Sequence, residues 1–153
     1  MAETQDATLG YMGEFWLWDA DATTPALYEL QQVKEFDVAA GGNREQIEKT
    51  HLKSPNWRRE YLSGFYEDND IEILLNSRPM SDTDVLLQAA NDGDETLPFL
   101  QVLPENGVPS TQISGTCRVT GYNRGRVTAD GVMEATATVR IVTVDAIAEY
   151  AAP

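Results

Sequence analysis

Nucleophilic or general-base chemistry in this chain would have to pass through very few side chains, because the sequence holds one histidine, His51, and one cysteine, Cys117. A Ser-His-acid arrangement would have to use His51, yet no serine sits in a Gly-x-Ser-x-Gly elbow. No glycine pair followed by Lys and Ser or Thr has the spacing of a phosphate-cradling loop, and Gly-x-Gly-x-x-Gly is absent. His51 therefore reads as a polar residue on an extended loop segment. Cys117 falls in phase with Ile113 and Val119, so its thiol is expected to be buried and inert; a lone cysteine forms no internal disulfide and its neighbours show no zinc-ligand spacing. Asp68-Asn69-Asp70 resembles the start of a calcium loop, but Ile73 stands at the sixth position, where that loop needs Gly. Asn91-Asp92-Gly93-Asp94-Glu95 is more simply a helix stop followed by a solvated turn. The expectation is a chain with no catalytic residues, no metal and no cofactor.

The tryptophans point instead to contacts between proteins. Trp57 stands beside Arg58 and Arg59, the residue types of interface hot spots, while Trp16 and Trp18 alternate along one strand and are expected in the core or at a subunit contact. Period-two patterning predicts most of the elements that carry these residues. Ile71, Ile73 and Leu75 fall on one strand face with Glu72, Leu74 and Asn76 on the other. Ile113–Tyr122 alternates in the same way, as does Glu134–Ile141, with Ala135, Ala137, Val139 and Ile141 opposite Thr136, Thr138 and Arg140. Glu14–Trp18 is a short strand; Tyr28–Val38 and Leu97–Leu103 are β-prone and less regular. One helix is expected over 81–92, capped by Ser81, with Asp82 and Asp84 at the positive end of its dipole, Val85, Leu86, Ala89 and Ala90 as its apolar stripe, and Asp92-Gly93 as its stop. Strands, one helix, then more strands predict a mainly β fold: two packed antiparallel sheets, a β-sandwich or barrel, with one flanking α-helix.

At 153 residues and 42% hydrophobic composition the chain is long enough for one self-sufficient domain. It carries a net charge of −14, a surface that repels nucleic acid and anionic membranes. No apolar run reaches the length of a membrane span, and Met1–Gly10 lacks the basic and apolar regions of a signal peptide, so a soluble protein made in a reducing cytoplasm is expected. The charge is segregated. Residues 1–43 sum to −7, 44–59 to +3, 60–116 to −10 and 117–153 to zero. The single basic stretch opens at Gly41-Gly42 and is broken by Pro55, which predicts a loop with a brief extended piece around Ile47 to Leu52.

The central stretch carries Lys49-Thr50-His51-Leu52 with Ser54, then Arg59-Glu60-Tyr61-Leu62-Ser63-Gly64-Phe65, then the strand Ile71–Asn76 with Pro79. In this order these motifs resemble the major tail tube proteins of long-tailed bacteriophages. The likeness continues through Val85-Leu86-Leu87, Gly93, Phe99–Pro104 and Asn106-Gly107 to a last long strand after Asp130-Gly131, covering about residues 28 to 144. The turn Glu67-Asp68-Asn69-Asp70 departs from the family, which usually carries Gly there; Asn tolerates positive φ.

The resemblance implies hexameric rings stacked into a tail tube through which DNA leaves without specific binding. It also implies tape-measure, terminator and distal tail proteins as partners, no membrane, and a place in the virion tail after assembly in the host cytoplasm. Within one domain spanning 1–153, residues 1–25 are expected as an N-terminal arm or strand, 41–57 as an assembly loop, and 145–153 as a C-terminal tail. The loop should be mobile in a free monomer and order on docking. Arg44, Lys49, Lys53, Arg58 and Arg59, with Trp57, are expected to meet acids of an adjacent subunit, either Asp92, Asp94 and Glu95 or acids of the N-terminal stretch. If Ile47 faces the core with Ile71, Ile73 and Leu75, alternation turns Glu48 and Glu72 to the other face of the same sheet, which the resemblance makes the channel wall. Two alternatives stay open: a ring protein of the type VI secretion kind or a tail terminator, and, from another class, a small ligand-binding or enzymatic β-barrel, which needs a convergent polar cluster on an inward face.

Overall fold

The structure, a computed structural model, describes residues 11–39, 43–67 and 70–151. In chain order the elements are β1 (Glu14–Asp19), β2 (Ala26–Glu29), β3 (Val33–Phe36), β4 (Asn43–Glu48), β5 (Tyr61–Glu67), β6 (Asp70–Asn76), α1 (Asp82–Gly93), β7 (Thr96–Glu105), β8 (Val108–Arg124) and β9 (Glu134–Glu149). Seven strands form one antiparallel sheet in the order β2-β1-β7-β8-β9-β6-β3, and β4 pairs with β5 as a separate hairpin.

Alternation puts Phe15 and Leu17, Leu97 and Phe99, Ile113, Cys117 and Val119, Ala135 to Ile141 in steps of two, and Ile71, Ile73 and Leu75 into one core. The two packed layers expected from the sequence are the two halves of a single sheet folded over on itself. Phe15 of β1 meets Phe36 of β3 edge-on at 5.9 Å between ring centroids, although the two strands lie far apart in the strand order. Register irregularities in β8 and β9 at Ser114/Gly115, Thr116/Cys117 and Val119/Gly121 supply local bends for that curl. At the first of these, a Cβ on Gly115 would lie 2.0 Å from the Thr143 carbonyl oxygen, so only glycine fits. Asn106 and Gly107, both at positive φ (52° and 79°), make the tight β7–β8 hairpin.

α1 starts as expected, with the Ser81 hydroxyl accepting from the Asp84 N–H at 3.3 Å. Its buried face is turned from the expected stripe. Thr83, Asp84, Leu86, Leu87 and Ala90 are inward, whereas Val85 is half exposed. Gly93 is the last helical residue, and the left-handed cap is Asp94 at φ 49°, a conformation that its short polar side chain tolerates.

The short strand expected at Glu14–Trp18 is β1, which lies between β2 and β7, and within the segment expected as a C-terminal tail β9 runs on through 145–149 beside β8. Residues 1–10, Gly41-Gly42, and Asp68-Asn69 of the expected turn lie outside the described residues. Ile47 is not a core residue. It sits half exposed on the hairpin, so Glu48 belongs to the two-stranded sheet and Glu72 to the seven-stranded one, and they do not lie on one face of the same sheet.

Candidate assembly surfaces

β4 and β5 form an arm that stands off the body. From Arg44 to Ser63 every side chain is exposed except those of Ser54 and Glu60, which are half-buried, and none of these residues belongs to the core cluster. In place of the expected loop, β4 and β5 pair as a hairpin from 43 to 67 whose tip is joined by hydrogen bonds. A strand with no buried face has no reason to alternate apolar and polar residues, and Arg44 to Glu48 are all exposed, so this segment carries no strand signature.

Hydrogen bonds within the tip fix its shape. The Thr50 hydroxyl accepts from the Glu60 N–H at 2.8 Å, and the Lys49 N–H donates to the Glu60 carbonyl at 2.8 Å. The Glu60 carboxylate accepts from the Ser54 hydroxyl at 2.9 Å and faces His51 Nε2 at 3.5 Å. His51 Nδ1 accepts from the Lys53 N–H at 3.1 Å, which leaves Nε2 as the proton-bearing nitrogen of the neutral ring. Ser54 and His51 thus both point at one carboxylate. The imidazole is not placed to take the serine proton, and the cluster is a turn-forming network, not a nucleophile with its base.

That network presents two apolar side chains to solvent. Leu52 and Trp57 are fully exposed. Asn56 and Trp57 both adopt left-handed backbone (φ 57° and 59°), which Asn tolerates and a bulky aromatic residue rarely adopts. Around them lie Lys49, Lys53, Arg58 and Arg59. Arg59 reaches Glu48 across the hairpin at 3.9 Å, a long exposed pair of small energetic weight.

The arm's root is anchored by a residue that the sequence reading missed. Gln101 on β7 is fully buried; its amide donates to the Asp37 carbonyl at 2.9 Å and its oxygen accepts from the Ala39 N–H at 2.8 Å. Asp37 also continues the β3–β6 ladder, exchanging backbone and carboxylate bonds with Glu72. The chain is thus pinned up to residue 39 before the arm leaves, and β6 holds it again from Asp70, opposite Arg140. Gln101 falls in phase with Leu97 and Phe99, so its inward position was readable from the alternation.

A second buried polar group locks α1 to the sheet. Asp84 accepts from Tyr122 Oη at 2.7 Å, from Arg124 Nε and a terminal guanidinium nitrogen at 3.0 and 3.1 Å, and from the Met80 N–H at 3.2 Å. The Arg124 bonds hold this carboxyl below its ordinary value, against the opposing effect of burial. Burial and the adjacent carboxylate push the Tyr122 phenol up to about 12. Burial alone pushes the Cys117 thiol up to about 12. Every buried side-chain polar atom among the described residues has a hydrogen-bond partner.

The expected acidic partners gather at one end of the body. Asp92, Asp94 and Glu95 end α1; Asp92 accepts from Gln88 at 3.0 Å, and Asp94 lies 3.8 Å from Arg118. Asp19 and Asp21, from the turn after β1, line the same groove as Glu95. A further surface is the strand edge of β9 beyond Arg140. β6 stops there, and Val142, Val144 and Ile147 are exposed. Trp16 and Trp18 are half-buried on β1, beside the core residues Phe15 and Leu17.

No protein-family model and no curated protein matches the chain. Solved structures do. A chain of the anti-feeding prophage baseplate, described with six-fold symmetry, superposes with a TM-score of 0.69 at 10% identity over 96% of this chain and 97% of that one. A chain of the tail of an empty gene transfer agent particle, refined helically with C6 symmetry, gives 0.69 at 18% identity over 95% and 100%. A chain of the SPP1 tail tube gives 0.65 at 11% identity over 94% and 80%. The chain therefore has the fold found in these tail and baseplate assemblies.

Proposed function

We propose that this chain is the structural subunit of a phage-type tail tube, forming hexameric rings that stack into a conduit for DNA. The observation that carries the reading is the arm: a hairpin whose residues 44–59 sum to +3 and whose tip is apolar, on a chain that is otherwise strongly acidic. Two unlike patches on one molecule make a head-to-tail contact, which closes into a ring or propagates as a filament. Likeness of fold to chains of a tail tube, a gene transfer agent tail and an injection-system baseplate over nearly the whole length supports it.

In this reading the protein performs no catalysis. Its place is the virion tail, its assembly takes place in the host cytoplasm, and its partners are copies of itself with tape-measure, terminator and distal tail proteins. Arg44, Lys49, Lys53, Trp57, Arg58 and Arg59 serve contacts between copies, and Glu72, exposed on the face of β6 turned from the core, is the lumen candidate. Wall charge acts within about 8 Å at physiological salt, enough to keep DNA from adhering to the wall as it passes.

Replacing residues 43–67 by a short Gly/Ser linker tests the proposal. The core cluster contains no residue from 44 to 63, so the variant should fold and sediment as a monomer at concentrations where the full chain forms large species. Large assemblies from the armless variant would overturn it.

A further inference from the structure

A groove between the end of β1 and the C-terminal half of α1 has the shape and charge to receive the arm tip. Its apolar lining includes Trp18, Leu86 and Leu97, and its rim carries Asp19, Asp21 and Glu95. Its volume is about 200 Å³. A dry cavity of roughly 150 Å³ accepts a benzene ring, so the groove is on the scale of one large aromatic side chain. Apolar floor with charged rim is the usual anatomy of a protein contact, and aromatic and arginine anchors are what such a floor accepts.

We infer that this groove is the receptor for the arm of a second copy of the chain, with Trp57 on the apolar floor and Lys53 and Arg58 facing Asp19, Asp21 and Glu95. The inference rests on the tube-subunit reading and names the contact that reading leaves open. The sequence offered two alternative acidic partners for the arm, the stretch after the helix and the N-terminal stretch, and the fold merges them: residues more than seventy positions apart share one rim. The tip is not docked on its own body, since Leu52 and Trp57 are fully exposed. A larger cleft of about 620 Å³, lined by Tyr11, Met12, Val33, Phe36 and Val38, lies at the arm's own root but offers one carboxylate, Glu35, beside Lys34. It matches a tip bearing four cations less well. Because arm and groove are different patches, the contact is heterologous, and each addition leaves the growing assembly with one free arm at one end and one free groove at the other.

Disulfide trapping between two single-site variants reads the contact directly. Trp57→Cys protein mixed with Ala89→Cys protein, Ala89 being a groove residue, should give a disulfide-linked pair under mild oxidation, while Trp57→Cys mixed with Val38→Cys should not. The native Cys117 is buried and stays silent in all three. In parallel, Asp21→Lys with Glu95→Lys, both exposed, should slow assembly at least tenfold at low salt, and Lys53→Glu with Arg58→Glu in the same chain should restore it. Should the reversed rim lower the melting temperature, Ala89→Trp, which fills the groove and keeps its charges, is the second acceptor variant and should block assembly equally. Trapping at Val38 instead of Ala89, or unslowed assembly by both acceptor variants while the wild type polymerises, overturns the groove and leaves the tube reading standing. A wild-type chain that never self-associates overturns both.

Discussion

Gln101→Met keeps the length and volume of a fully buried side chain and removes its donor and acceptor together. Two bonds disappear, at 2.9 and 2.8 Å, to the Asp37 carbonyl and the Ala39 N–H. The Ala39 group is buried and loses its partner outright, which costs about 1–3 kcal/mol; the Asp37 carbonyl is nearer solvent and can be rehydrated, adding about 0.5–1.5 kcal/mol. The expected loss is roughly 2–4 kcal/mol, or about 5–15 °C in melting temperature for a domain of this size. It should be measured by urea unfolding in the Lys49→Glu, Lys53→Glu background, so that self-association does not add to the apparent stability. The midpoint should fall with the slope unchanged. Amide exchange supplies the local readout: the Ala39 N–H should be protected in the parent and should exchange much faster in Gln101→Met, while Ile73 and Val139 stay protected in both. A change below about 0.5 kcal/mol, or an Ala39 amide that exchanges as an open loop does in the parent, would refute the idea that Gln101 pins the arm's root.

Three other expectations follow from the charges and the core. Asp84→Asn should cost about 2 kcal/mol at neutral pH, the low end for charge-assisted bonds because the Arg124 guanidinium is half exposed. Since the folded carboxyl lies below its ordinary 3.8, its contribution is present above that pH and disappears as pH falls through the folded value, so parent and variant should converge in acid unfolding. The Lys49→Glu, Lys53→Glu chain should fail to assemble at low salt, scored by light scattering; normal assembly would show that arm charge has no part in it. Cys117, with its thiol raised from 9.0 to about 12, should react with thiol reagents only on unfolding, and its contribution to stability should fade as pH rises from about 9 to about 12; rapid labelling of native protein at pH 7 would contradict the burial.

How much could be read from the sequence depended on whether burial leaves a period. Ile71, Ile73 and Leu75, and Ala135 to Ile141, face a core on one side only, so their strands and register were legible. The arm was not legible as a hairpin, because Arg44 to Ser63 buries almost nothing and its Gly-Gly start and Ser-Pro break look like loop punctuation. Its proposed role in contacts rests on a different signal, Trp57 next to Arg58 and Arg59 in an acidic chain. Asp84 was attributed to the helix dipole, which it also serves, and this hid the pull of Tyr122 and Arg124 that turns the helix so that Val85 faces out and Leu87 in. Asp19, Asp21 and Glu95 could be joined only by the fold.

Negative-stain electron microscopy of the purified full-length chain, imaged across a range of salt concentrations, tests the central claim most directly. The account predicts hollow tubes built of stacked six-fold rings, absent from the armless variant on the same grids. A chain that stays monomeric under all these conditions, or closed rings that never stack, would contradict it.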